Sequence, residues 1–128
     1  MNKELWGKTI SLHKNRCEKI LSFSKTIRYA GVFNQYGRTI SGKIRPGIKP
    51  IFSPNAIRDE FFTISSIMKL REKSAKALGE MEFIHIRHKK INILLFHKNN
   101  RTYYITTNPK TKPTSALINK IKKLITPE

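Results

Sequence analysis

The sequence predicts an α+β fold in which one five-stranded antiparallel sheet carries helices on both faces. Three observations predict it. Apolar spacing along the 128 residues changes in the order helix, two strands, long helix, three strands, helix. The middle strand of the last three is apolar on both of its faces, so neither side of that sheet can face water. No linker, repeat or low-complexity tract divides the chain, so residues 1–128 are expected to form one domain with its core over about 10–125. A chain of this length buries roughly two-thirds of its extended surface and needs no covalent staple.

The first helix is expected from about Ser11 to Ser24. Ile10, His13, Cys17, Ile20 or Leu21, and Ser24 recur at spacings of three and four, with Leu12 widening the stripe. Lys14, Arg16 and Lys19 fall on the other side, and Leu5 and Trp6 extend the helix or cap the core. Ile27–Phe33 is rich in β-formers and reads as a strand. Asn34-Gln35-Tyr36-Gly37 supplies a turn with Gly37 at positive φ, and Arg38–Gly42 returns as the second strand. Gly31 weakens a strand interior, and close approach of a helix is the expected reason. Lys43–Pro50 is a connecting loop turned by Pro46-Gly47.

Ser53-Pro54 reads as a helix start, with Ser53 as cap and Pro54 where its missing N–H does no harm. Ile57, Phe61, Ile64, Met68, Arg71, Ala75 and Leu78 continue one stripe to Gly79. This is a single helix of about 24 residues, the longest element expected, with acids early and cations late. Three strands follow, Glu80 to His88, Ile91 to His97 and Thr102 to Thr107. They turn at Lys89-Lys90 and at Lys98-Asn99-Asn100-Arg101, where Asn-Asn tolerates left-handed geometry. That register sets Phe83 against Phe96, Phe96 against Tyr103, and His97 against Glu82. One face then carries Phe83, His85, Leu94, Phe96, Tyr103 and Ile105; the other carries Ile84, Ile86, Ile93, Leu95 and Tyr104. Asn108-Pro109 ends the sheet, and Lys112-Pro113-Thr114 opens a last helix with Leu117, Ile118, Ile121, Leu124 and Ile125 on one side.

Charge dominates the composition: 26 Lys+Arg against 8 Asp+Glu, a net charge of +18. No carboxylate lies between Glu18 and Asp59 or between Glu82 and Glu128. Such an excess concentrates anions and favours nucleic acid, anionic lipid or acidic protein. Arg38, Lys43, Arg45 and Lys49, around a glycine-containing loop, are candidate anion contacts, with Tyr36 placed to stack on a base. Lys112, Lys120, Lys122 and Lys123 form a second candidate group.

Catalytic and metal chemistry find little support. A lone Cys17 excludes an internal disulfide and a CxxC knuckle, and its place in the helix stripe marks a buried thiol. His13, His85, His88 and His97 do not converge, so no metal site is expected. There is no phosphate-binding G-x-x-x-x-G-K-[ST] loop. The expectation is a non-enzyme without cofactors. No signal peptide or span of about 18 apolar residues is visible, so a cytoplasmic location is expected.

The element order resembles that of the roadblock/dynein-light-chain family, within the profilin-like and longin-like group. The segment Ile27-Arg28-Tyr29-Ala30-Gly31-Val32-Phe33-Asn34-Gln35-Tyr36-Gly37-Arg38 is similar to a phrase, IRFAGVIN-x-x-G, of a thaumarchaeal-type archaeal family of unassigned function. There too a Gly/Arg-rich loop ending in Lys-Pro follows, as Ser41–Pro50 does here. The resemblance implies a strand order of 2-1-5-4-3, first and last helices on one face and the long helix on the other. It also implies a docking platform for another protein or a small GTPase, homodimeric through the long helix and the neighbouring edge strand. Phe61, Phe62, Ser65 and Lys69 are the candidate dimer contacts. The high positive charge departs from ordinary roadblock domains. Two other readings stand beside this one. The first is a basic nucleic-acid-binding protein. The second is a small-ligand sensor with a pocket lined by residues such as Tyr29, Phe33 or Tyr103.

Overall fold

The computed structural model describes residues 3–126. Five strands form one antiparallel sheet: β1 (Ile27–Phe33), β2 (Thr39–Ile44), β3 (Ile84–Arg87), β4 (Asn92–Lys98) and β5 (Arg101–Thr107). Their order is β2-β1-β5-β4-β3, as the resemblance implied. The helices are α1 (Lys3–Phe23), α2 (Pro54–Glu72), the short α3 (Ala75–Leu78) and α4 (Ser115–Ile125).

The pleat sorts alternate residues into two cores. Ala30, Val32, Leu94, Phe96, Tyr103 and Ile105 pack under α1 and α4, which contribute Cys17, Ile20, Leu21, Leu117, Ile121 and Ile125. Phe33, Ile93, Leu95 and Tyr104 pack under α2 through Phe61, Ile64 and Met68. Both faces of the sheet are therefore covered, as the double-sided apolar pattern of β4 required.

Turn chemistry sets the register. Asn99 and Asn100 both take positive φ, 51° and 60°, closing a two-residue hairpin in which Lys98 faces Arg101 and Phe96 faces Tyr103. Phe83 lies just outside β3 yet still stacks on Phe96, with ring centroids 6.1 Å apart. At the β1–β2 turn, Asn34 Oδ1 accepts from the N–H groups of Tyr36 (2.9 Å) and Arg38 (3.0 Å). Pro46-Gly47 makes a turn closed by Ile48 N–H donating to Arg45 O at 3.1 Å, with Gly47 at φ 83°.

Several expectations are corrected. α1 begins at Lys3, two turns before Ser11, so of the two expectations for Leu5 and Trp6 the helix extension holds, and both are exposed helix residues. The helix expected from Pro54 to Leu78 is broken: α2 stops at Glu72, Ser74 N–H closes a turn onto Arg71 O, and α3 follows. At 19 residues α2 is shorter than the 21-residue α1. Gly79, at φ 84°, does end the helical segment. β3 is four residues long, shorter than the expected Glu80 to His88. Gly31 makes room for an aromatic ring, not a helix: a Cβ there would stand 2.6 Å from Cζ of Tyr29, whose ring also lies over Gly42 across the sheet. Arg16 is 5% exposed and donates to the Tyr103 hydroxyl at 3.1 Å. The same hydroxyl meets His13 Nδ1 at 2.5 Å. Arg16 sits one position before Cys17 on the helix, and a long side chain can reach inward from that flank.

Gly37 is required twice. Its φ is 79°, and a Cβ would stand 2.7 Å from the Cα of Phe62 on α2. Gly47 has the same φ sign but no atom within 4 Å of such a Cβ. Gly47→Ala is therefore expected to cost only the roughly 1–2 kcal/mol of left-handed geometry. Gly37→Ala must also push α2 off the hairpin and is expected to cost about 3 kcal/mol or more in urea denaturation.

Burial raises the acid groups of Cys17 and Tyr29. The Cys17 thiol moves from 9.0 to about 12, through burial first and then the charge of Glu18. The Tyr29 phenol moves from 10.0 to about 12, through burial first and then Cys17. Between these values the folded chain holds protons that the unfolded chain has lost. Stability is thus expected to be full below pH 9.0 and to fall as pH rises toward about 12. Denaturation midpoints against pH check this, together with a thiol reagent that modifies Cys17 only after unfolding.

Candidate interaction surface

The outer side of α2 presents apolar surface to solvent. Ser53 caps the helix, its hydroxyl accepting from Ala56 N–H at 3.2 Å, and Pro54 occupies the first turn. The inner stripe binds the sheet. Phe61 stacks on Phe33 at 4.5 Å between centroids and meets the Tyr104 edge at 5.1 Å. Of the four candidate contacts, Phe61 and Ser65 are therefore buried within the chain and offer no surface to a partner. Phe62 points outward at 63% exposure, and Lys69 lies over the Tyr36 ring at 5.3 Å. Leu70 (61%) and Leu78 (71%) add two exposed apolar side chains, although the sequence spacing puts Leu78 on the inward stripe. The break after Glu72 is what turns Leu78 out.

β3 forms one edge of the sheet, next to α2. Ile84 and Ile86 pack toward α2 while His85 and Arg87 are exposed. The strand is only four residues long and carries charge, a common protection of an edge whose outer amides and carbonyls are unpaired.

The end of α2 is tied down by polar contacts. His97 Nε2 meets Glu72 Oε1 at 2.8 Å and Nδ1 meets the Thr102 hydroxyl at 2.9 Å. His97 thus pairs with Glu72, not with Glu82 as the sequence register suggests. Glu82 pairs instead with Lys122 of α4 at 2.5 Å, a hydrogen bond and charge that hold its carboxyl below the usual range. The chain of hydroxyl, imidazole and carboxylate has the order of a nucleophilic triad, but Thr102 is 1% exposed, so no substrate reaches its oxygen. Among the described residues no three His, Cys, Asp or Glu side chains group as metal ligands.

The eight candidate anion contacts are not equivalent. Arg45 is spent on the backbone: Nε donates to Ile27 O at 2.7 Å, and a terminal nitrogen donates to Leu21 O (2.5 Å) and Ser24 O (2.8 Å). It closes the C-terminal end of α1, where carbonyls lack helical partners. Lys43 pairs with Glu18 at 3.8 Å, Lys122 with Glu82, and Lys120 lies over the Phe23 ring at 5.8 Å. Arg38, Lys49, Lys112 and Lys123 are exposed and join no ion pair among the described residues. Of the side chains expected to line a ligand pocket, Phe33 and Tyr103 are packed solid while Tyr29 borders a cavity.

The fold is shared with roadblock/LC7 domains. The gliding protein MglB from Thermus thermophilus superposes with a TM-score of 0.71 at 10% identity, over 91% of this chain and 87% of that one. A roadblock/LC7 domain from Streptomyces avermitilis gives 0.66 at 8% identity, over 87% and 89%. A structure described as MglB with tetrameric arrangement gives 0.67 at 13% identity, over 96% and 85%. No family model matches the sequence, and no curated protein matches it. The likeness is one of fold.

Because Arg45 serves three carbonyls, Arg45→Met is expected to lower stability by about 2–4 kcal/mol, at about 1 kcal/mol or more per lost charge-assisted bond. Lys49→Met, on the same loop but exposed, is expected to change it by no more than about 0.5 kcal/mol. Paired urea titrations separate the structural cation from the surface one.

Proposed function

We propose that this protein is a non-enzymatic protein-interaction module of the roadblock-like class that self-associates as a homodimer. The observation that carries the reading is that Phe62 and Leu70 of α2 and Leu78 of α3, on the helical segment over one face of the sheet, leave large apolar side chains exposed. Exposed large apolar side chains on one covering segment favour a contact site. An isologous two-fold contact would bury the patch against its own copy and bring two β3 edges within pairing distance. Self-association is also the arrangement named for one structural neighbour, the tetrameric MglB. The phrase from Ile27 to Arg38 supports an archaeal member of this class, working inside the cell.

The dimer would still present its cations. Arg38, Lys49, Lys112 and Lys123 favour an acidic partner surface, protein or nucleic acid, and would quicken its association. Their effect would weaken with salt.

Sedimentation velocity tests the core of the reading. The wild-type chain is expected to sediment as a dimer at micromolar concentration. Phe62→Glu, an exposed position, is expected to give a monomer that keeps the far-UV circular dichroism of the wild type. A wild-type chain that stays monomeric at the highest attainable concentration would remove the proposal.

A further inference from the structure

One volume beneath α2 is left unfilled by side chains. A cavity of 480 Å³ opens where the first two turns of α2 meet the β2 side of the sheet, a size within the range of small-molecule sites. Tyr29, Ile44 and Tyr104 form its floor, and Ile57 and Phe61 of α2 one wall. The connection after β2 supplies the other wall through Ile48, Ile51 and Phe52. Ile51 stands 51% exposed there, apolar surface that an occupant would take out of water.

The lining is also one-signed. Among the described residues its charged lining is Arg28 and Lys49, both cations, with no carboxylate. The nearest acid on α2 with a contact to the lining is Glu60, whose carboxylate accepts the Tyr104 hydroxyl at 2.7 Å. Arg28 makes one long contact, 3.5 Å to Asn108 Oδ1, which leaves most of its five donors for an anion. Lys49 is exposed and in no ion pair among the described residues.

We propose that this cavity binds a small free anionic amphiphile, its apolar body between Tyr29, Ile57 and Phe61 and its carboxylate or phosphate at Arg28 and Lys49. An apolar ligand without charge would leave the two cations unanswered, and a polar anion without a body would leave the apolar walls wet. The site is separate from the outer face of α2, so it stands or falls independently of self-association.

Decanoate is the probe, titrated by calorimetry and by amide chemical-shift mapping at about 0.15 M salt, where diffuse surface attraction is screened. The expected result is one site per chain, with shifts centred on Arg28, Tyr29, residues 48–52 and Ile57. Decan-1-ol is expected to bind at least tenfold more weakly. The double variant Arg28→Gln/Lys49→Gln is expected to erase that preference while leaving decan-1-ol affinity within about twofold, since only the charge term is removed. Ile48→Trp, which fills the cavity from its loop wall, is expected to weaken decanoate more than tenfold with the thermal midpoint retained. Shifts scattered over the lysine faces, equal affinity for decan-1-ol, or undiminished binding by folded Ile48→Trp would each overturn the proposal.

Discussion

Burial of the central strands on both faces is the constraint on which the rest of the structure depends. In β5 every residue from Thr102 to Thr107 is buried, and in β4 every residue from Asn92 to Phe96. A strand in that condition cannot sit at a sheet edge or beneath a single layer. The chain therefore has to supply helices to two sides. α1 and α4 close over the Val32, Phe96 and Tyr103 side, and α2 closes over the Phe33, Leu95 and Tyr104 side. The cations then go to the perimeter, because no interior position is left that would not strip them of water. Among the described residues Arg16 is buried and reaches Tyr103, and Arg45 is half-buried on backbone carbonyls.

What was legible in the sequence followed from local rules. The two-residue Asn99-Asn100 hairpin, the Ser53-Pro54 start of α2 and the Thr114 start of α4, whose hydroxyl accepts from Leu117 N–H at 3.1 Å, all rest on chemistry within four residues. The strand pairing Phe96 to Tyr103 follows once that hairpin is fixed. Illegible were the contacts closed by distant elements. Arg45 looks like any loop cation until the end of α1 arrives beside it. Leu78 looks inward until Ser74 interrupts the helix. Gly31 looks like a helix crossing until the Tyr29 ring folds over it. The candidate surface was half readable for the same reason: Phe62 stood off the apolar stripe by spacing, whereas the inward turn of Ser65 depends on where α2 lies.

The polar groups inside the layers join elements. Asn92 shows this most fully. Its Nδ2 donates to Asn108 O, Pro109 O and Thr111 O at 3.1, 3.3 and 2.8 Å, and its Oδ1 meets His85 Nε2 at 3.2 Å. One buried amide thus arranges the connection from β5 to α4, where Asn108 O also accepts from Thr111 N–H at 3.1 Å. Tyr104 with Glu60, in the second turn of α2, and His97 with Glu72, at its last residue, do the same for that helix. Burial first, and the Glu60 contact second, hold the Tyr104 phenol well above its ordinary value, so it stays a donor and keeps α2 in place over the usual pH range.

Fixing α2 at those two points also explains where the layer fails to close. The helix packs on β1, β3, β4 and β5 through Phe61, Ile64 and Met68 against Phe33, Ile84, Ile86, Ile93, Leu95 and Tyr104 and touches the β1–β2 turn at Gly37, while a cavity stays open beside Gly42 and Ile44 of β2. Over β2 the sheet has Gly42 and a connecting loop instead of a helix, and the Tyr29 ring has to lie flat across Gly31 and Gly42 to cover what it can. A larger side chain at Gly42 would strike that ring, so the gap cannot be filled from the floor without displacing Tyr29. The cavity is thus a consequence of the same two-sided burial that organises the fold. One helix spans a face that needs nearly two, and the remainder falls beside Arg28 and Lys49, on the border between apolar floor and cationic rim.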